Sequence, residues 1–587
     1  MLLILGCNTN NPQSELKSII DSYHDYKGHE NGEFPLGDFS EERFENYALF
    51  CDSLKLKLET IDRYELEEND QISYQLLHFV LKETGVKFHY NTHWNPILSD
   101  AGFHSNLTYR VRPISSKKSA LKYLNLLKAI PLYIDQQSTL IEKGLNAGMG
   151  QPLIIFNGYS STYEQHITKT PEENFYYSPF LKLPDQISKQ EKDSLLQAAK
   201  KVINHSVIPS FKKVKTFFEE TYFPKTRVAI GISEIPNGKE YYQSRIDFYT
   251  TLKMTPQSIH EKGLEEVARI NAKMLEIVKE VEFKGSLIEF IAFLRTDSQF
   301  YAKTSEQLLA HARNISKKLD EQLPRYFKTL PRKPYGVAPV PDAIAPKYTS
   351  GRYVGTSPTS TNPGYYWVNT YNLSSRPLYV IPSLTAHEAV PGHHLQGSLN
   401  SELTESIPRF RRDLYLSAYG EGWGLYSEYL ADEMGIYSTP YEHFGKLTYE
   451  MWRACRLVVD TGIHAFGWTR EEAVNFMSKN TALSIHEINT EIDRYISWPG
   501  QAISYKIGEL KIRELREKAE KEMRNQFDIR DFHEVILEKD IWFFLCNLSA
   551  ESIRKAFGGR KFLLGWGLFK NYSKSKIFIR RFSSRPI

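Results

Sequence analysis

The segment His387-Glu388-Ala-Val-Pro391-Gly392-His393-His394 puts three imidazoles and a carboxylate within eight residues. These are the side chains that bind a transition metal and move a proton. Two histidines four apart on a helix sit about one turn from each other and can share a zinc ion, and a glutamate between them takes a proton from the metal-activated water. Here the fifth position is Pro391, and the next histidines stand six and seven residues after His387. On a straight helix the six-residue step turns through ~600° and faces the wrong side, while the seven-residue step lies ~10.5 Å along the axis. Neither suits ligand distances of ~2.0–2.1 Å to one zinc. Pro391 lacks an N–H and crowds the preceding turn, and Gly392 permits backbone angles closed to other residues. Together they predict a bulge or kink that absorbs the extra residues and returns His393 to the place of the second ligand. His394 is the alternative ligand, or else serves the metal's surroundings or the substrate.

A catalytic zinc takes three protein ligands and keeps a fourth position for water. The stretch Ser417-Ala-Tyr-Gly-Glu421-Gly-Trp-Gly-Leu-Tyr-Ser-Glu428 reads as a helix whose two carboxylates, seven apart, share one face. Glu421 is the expected third ligand and Glu428 its fallback; without that role Glu428 reads as part of a solvated face.

The elements that must hold these groups are mostly helical. Apolar residues recur at three- to five-residue spacing through 41–84, and similar patterns fill 117–146, 187–222, 256–282 and 303–322. Thr255-Pro256 and Thr304 supply helix starts. Helical patterns return over 402–434, 441–465, 469–478 and 503–524. The Pro/Gly-rich segment 330–377 interrupts them. Within it Tyr365-Tyr-Trp-Val-Asn-Thr-Tyr371 predicts a strand, either with a free edge that pairs with an extended peptide or as part of a buried hairpin. The expected fold class is mostly α, with a small β-sheet beside the metal-binding helix.

The segments 387–396 and 421–428 match the two hallmarks of a bacterial family known as domain of unknown function 885, His-Glu-x-x-Pro-Gly-His-His-Leu-Gln and Glu-Gly-Trp-x-Leu-Tyr-x-Glu. The chain resembles that family further through Arg453 to His464, Gly467-Trp-Thr-Arg, Arg494-Tyr495 and Pro499 to Gly508, and in outline over 15–539. The resemblance implies a zincin-like metallopeptidase of the gluzincin type, with one zinc per chain and a large helical catalytic unit. Several matched residues suggest roles. Asp460 and His464, four apart on a helix, would pair to orient a ligand imidazole or the substrate, or else make a structural hydrogen bond. Tyr505 would donate to the oxyanion of an acyl-transfer intermediate. Arg494 would clamp a peptide carboxylate, or else form a surface ion pair.

The 587 residues have ordinary globular composition and a formal charge of +4, which gives no nucleic-acid signal. From Glu551 onward the charge is +9, leaving −5 on the rest. Cys7, Cys51, Cys455 and Cys546 show no metal spacing. Residues 1–14 hold a short apolar run ending in Ile-Leu-Gly-Cys7, similar to a lipoprotein cleavage box, with a polar tether after it. That implies membrane attachment through a lipidated Cys7 in a bacterial envelope, facing the periplasm or cell surface. After Lys539 the family pattern stops, and 540–587 reads as a frameshift product or a basic extension. The function expected is zinc-dependent hydrolysis of peptide amide bonds, with ligands His387, His393 and Glu421, base Glu388, and Tyr505, His394 or His464 at the oxyanion. The alternatives are a small-molecule amide or ester metallohydrolase and a peptide- or cell-wall-binding lipoprotein without catalysis.

Overall fold

The computed structural model describes residues 11–26, 32–342, 344–357, 360–403 and 407–538. The lipobox-like run with Cys7, and the tail 540–587 with Cys546, lie outside the described residues. Cys51 and Cys455 are buried and unpaired.

The fold is mostly α-helical, and the helices start where polar caps precede apolar periodicity. Helix α1 (Lys117–Asn146) begins at Ser116, whose side chain accepts from the Ser119 N–H. Helix α2 (Pro256–Glu280) is capped by Thr255 with proline in the first turn, and α3 (Ser305–Tyr326) by Thr304. The predicted 41–84 helix is two, Glu41–Leu58 and Glu68–His89. A first helix, Pro12–Asp25, starts within the expected tether.

The Pro/Gly-rich segment forms a three-stranded sheet of β1 (Tyr335–Pro339), β2 (Gly351–Val354) and β3 (Gly364–Val368), in the order β1-β3-β2. β1 runs parallel to β3 and β2 antiparallel, with Arg352 opposite Trp367 and Tyr353 opposite Tyr366. Of the two readings for 365–371 the free peptide-binding edge is overturned and the buried one is closer. That strand is real but central, paired on both sides, and offers no edge to a peptide. The edge beside the site belongs to β2.

After the sheet come α4 (Ile381–Glu388) and α5 (His393–Ser401), then α6 (Ser417–Glu433), α7 (Pro440–Phe466), α8 (Ile485–Ser497), α9 (Ser504–Met523) and α10 (Ile529–Glu538). α7 is buried along nearly its whole length from Phe444 to His464 and ends at Gly467, whose φ of +70° suits glycine. Short α4 is held from two sides. Ile381 and Leu384 belong to one large hydrophobic cluster, Ala386 and the following Val390 to another. Helices α6 and α9 pack closely because glycines meet there. A Cβ on Gly508 would lie 1.9 Å from the Ala418 carbonyl oxygen, and one on Gly422 would lie 2.6 Å from the Gly508 Cα. Since those obstacles are backbone, Gly508→Ala must push the helices apart. We expect a loss of roughly 1–3 kcal/mol, read as a lower Tm by calorimetry; an unchanged Tm would show that the close approach carries no stability.

Candidate metal centre

Helix α4 stops at Glu388 and α5 starts at His393, so the backbone breaks outright where a bulge or kink was expected. The Val390–Pro391 peptide is cis. The Gly392 N–H donates to the Ala386 carbonyl at 3.0 Å, and a Cβ there would sit 1.9 Å from the His387 carbonyl oxygen, so no larger residue fits. The Trp423 indole N–H holds the turn by donating to the Pro391 carbonyl at 2.8 Å. The next helix thereby clamps the break.

The break brings His393 back to His387, with ring centroids 4.8 Å apart and planes at 87°. Glu421, on α6, lies against both: its Oε2 is 3.6 Å from His387 Nε2 and 3.4 Å from His393 Nε2. One ligand atom from each of the three residues lies within 4.8 Å of the other two. Ligands at ~2.0–2.1 Å from a tetrahedral zinc stand ~3.3 Å apart, so both nitrogen–oxygen distances are close to the edges of such a tetrahedron. Two imidazoles and a carboxylate at these distances fit zinc by geometry and by donor type.

The electrostatics agree. Burial works to raise the Glu421 carboxyl, yet His393 and His387 hold it well below the usual carboxylate range. Burial works to lower His387, but hydrogen bonds to Glu421 and Glu428 push it up to about 10. Without a metal, protons supply the positive charge that this carboxylate cluster demands.

Around the triad, Glu428 overturns the solvated-face expectation. It is 1% exposed, and its Oε1 accepts from His387 Nδ1 at 2.8 Å. Arg453 approaches the same oxygen at 3.3 Å. A carboxylate on Nδ1 fixes the tautomer and leaves Nε2 free for a metal. Gly424 makes the room: a Cβ there would come within 2.6 Å of the His387 ring. Tyr415 donates to Glu421 Oε1 at 2.9 Å. Glu388 Oε2 accepts from the Tyr353 N–H of edge strand β2 at 2.7 Å, which anchors the carboxylate, and its charge lies within electrostatic reach of His387.

The other predicted residues divide. Tyr505, in the first turn of α9, lies under the Arg456 guanidinium at 4.2 Å and within electrostatic reach of Tyr415 and Arg352; among the described residues its hydroxyl has no hydrogen-bond partner. Arg494 is not on the surface. It binds Glu491 at 3.2 Å and Gln501, and stacks on Trp498. His394 points away from the triad toward the Tyr353 hydroxyl (3.1 Å) and Ser398 (3.2 Å). The expected Asp460–His464 pair does not form. Asp460 accepts from Tyr242 and the Gly500 N–H, and both His464 nitrogens meet backbone groups, Ile232 N–H and the Tyr495 carbonyl. His464 has no nitrogen left for a substrate. Tyr415, Arg352 and Gly424 escaped the sequence reading. A glycine inside a helix costs ~1 kcal/mol and signals a packing reason, so Gly424 could have been found that way; Tyr415 carries no such mark.

Tyr415 is 58% exposed, so its hydrogen bond reaches the centre from the solvent side. Asp100 and Tyr109, from the N-terminal half, come within electrostatic reach of Arg494 and Tyr348 respectively.

Fold and site together define a mostly α-helical protein with a partly buried His-His-Glu cluster formed between a broken helix and α6. The chain belongs to the family of bacterial proteins of unknown function DUF885, whose model matches residues 25–540. A crystal structure of a “putative lipoprotein” from Colwellia psychrerythraea is similar at a TM-score of 0.83 and 26% identity, over 94% of this chain and 97% of that one. A “putative lipoprotein of unknown function” from Shewanella oneidensis has the same fold at a TM-score of 0.64 and 18% identity, over 94% and 97%. Among curated proteins none matches.

Glu428→Gln and Gly424→Ala should each weaken zinc binding roughly 10- to 100-fold with helicity unchanged, measured by competition with a fluorescent chelator. Wild-type affinity in both would contradict the role given to the His387 surroundings.

Proposed function

We propose that the protein is a zinc-dependent hydrolase that cleaves amide bonds of peptides. The observation that carries this reading is the placement of Glu388, fixed by the β2 N–H and next in sequence to the first member of a triad with tetrahedral spacing. A purely structural metal site needs no carboxylate poised in this way. His387, His393 and Glu421 would hold the ion, which when bound acts as a Lewis acid that lowers the pKa of water and polarises a carbonyl. Glu388 takes a proton from the attacking water and delivers it to the leaving nitrogen as the C–N bond breaks, leaving a carboxylate and an amine. The unpartnered Tyr505 hydroxyl is a donor for the charge that develops on the carbonyl oxygen.

The Ile-Leu-Gly-Cys7 run and the descriptions of both structural neighbours support an envelope lipoprotein anchored through Cys7. Among the described residues no helix is long and apolar enough to cross a membrane.

Zinc-loaded Glu388→Gln should keep its metal and lose roughly 10²- to 10⁴-fold in peptide hydrolysis, followed by mass spectrometry of a peptide mixture. Undiminished turnover would remove Glu388 from the chemistry. A metal-loaded wild type that hydrolyses esters or small amides but no peptide would replace the substrate class, and one that binds peptides without cutting them would leave a binding protein.

A further inference from the structure

Several arginines lie near the candidate centre, and their partners differ. Arg453 meets Glu428, and Arg456 and Arg494 share Glu491, at 2.9 and 3.2 Å. Arg352, on edge strand β2, is exposed, and among the described residues no carboxylate pairs with it. Its nearest polar company is the Tyr348 hydroxyl, with Glu388, Tyr505 and Glu421 further off. An unpaired guanidinium beside a catalytic carboxylate is a docking point for an anion on the substrate.

We propose that Arg352 binds the free C-terminal carboxylate of a short peptide and sets the cut within one or two residues of that end. This rests on the hydrolase reading above. The reach follows from the backbone. The Tyr353 N–H lies 2.7 Å from Glu388 Oε2, and a peptide nitrogen stands ~2.4 Å from the preceding Cα. The Arg352 Cα is therefore about 5 Å from the general base. The guanidinium itself stays within electrostatic reach of Glu388, and each residue of an extended substrate spans ~3.3–3.6 Å, so a carboxylate held there lies one or two residues beyond the scissile bond. Arg352 stands opposite Trp367, on the face of the sheet away from Tyr353 and Tyr366, whose side chains pack toward the core.

The alternative is that Arg352 merely balances Glu388 and Glu421 electrostatically. The two separate in an assay of zinc-loaded wild type, Arg352→Ala and Arg352→Lys against a tetrapeptide library offered both as free acids and as C-terminal amides. Wild type should prefer the free acids and release one or two C-terminal residues. Arg352→Ala should lose roughly 10- to 100-fold in kcat/KM on free acids, chiefly through KM, and less than about threefold on amides. Arg352→Lys, which keeps the charge but not the fork, should fall between. Equal losses on acids and amides, or no acid preference in wild type, would overturn the proposal while leaving the hydrolase reading intact. Calorimetric binding of the same peptides to Glu388→Gln tests recognition without turnover. A free-acid preference there that Arg352→Ala abolishes would uphold carboxylate recognition even if no peptide were hydrolysed. Binding of neither form would overturn it.

Discussion

Two imidazoles on one α-helix can share a metal ion only from the same face and about one turn apart. Residues 387 and 393 meet neither condition on a continuous helix, so the centre depends on the chain breaking between them. Gly392 supplies a backbone that can turn under the His387 carbonyl, where any Cβ would collide. Trp423 ties the turn to α6 through Pro391. Because the same helix carries Glu421 two residues earlier, one packing contact sets the break and the third ligand together. Gly424 and Glu428 then settle the position and tautomer of His387 from that helix as well.

This arrangement concentrates charge in the interior, which is tolerated only where each group is answered. Glu428 faces His387 and Arg453. In the first turn of α9, Lys506 is fully buried among Glu266, Glu450 and Glu509, all within 3.0 Å. That network pins the residue next to Tyr505 and so holds the tyrosine near the candidate centre. Along α8, Glu491 serves two arginines at once. Beside these ion pairs Arg352, which meets the Tyr348 hydroxyl but no carboxylate among the described residues, stands apart.

Much of the helical framework was legible in the sequence because it follows from local rules. Residues 117–146 are bounded as the apolar period and Ser116 cap require, and Thr255-Pro256 and Thr304 begin helices where expected. The His387–His393 pairing was legible because His-Glu followed by Pro-Gly-His-His admits few geometries. What depends on partners distant in the chain was not. Residues 364–368 have strand composition in any position, and only pairing with both 335–339 and 351–354 makes the strand central. Glu428 looks solvated until α4 and α7 are packed against it. Asp460 and His464 have the right spacing to meet, but Tyr242, Gly500, Ile232 and Tyr495 claim them first. Arg352 had no local signal at all, since its significance is the absence of a carboxylate partner among the described residues.

The most direct test of the account is the zinc content of purified protein, by elemental mass spectrometry, in wild type, His393→Ala and His394→Ala. The broken helix predicts about one zinc per chain in wild type and in His394→Ala, and loss of the metal in His393→Ala. Retention in His393→Ala with loss in His394→Ala, or folded wild type that takes up no zinc when offered it, would contradict the account.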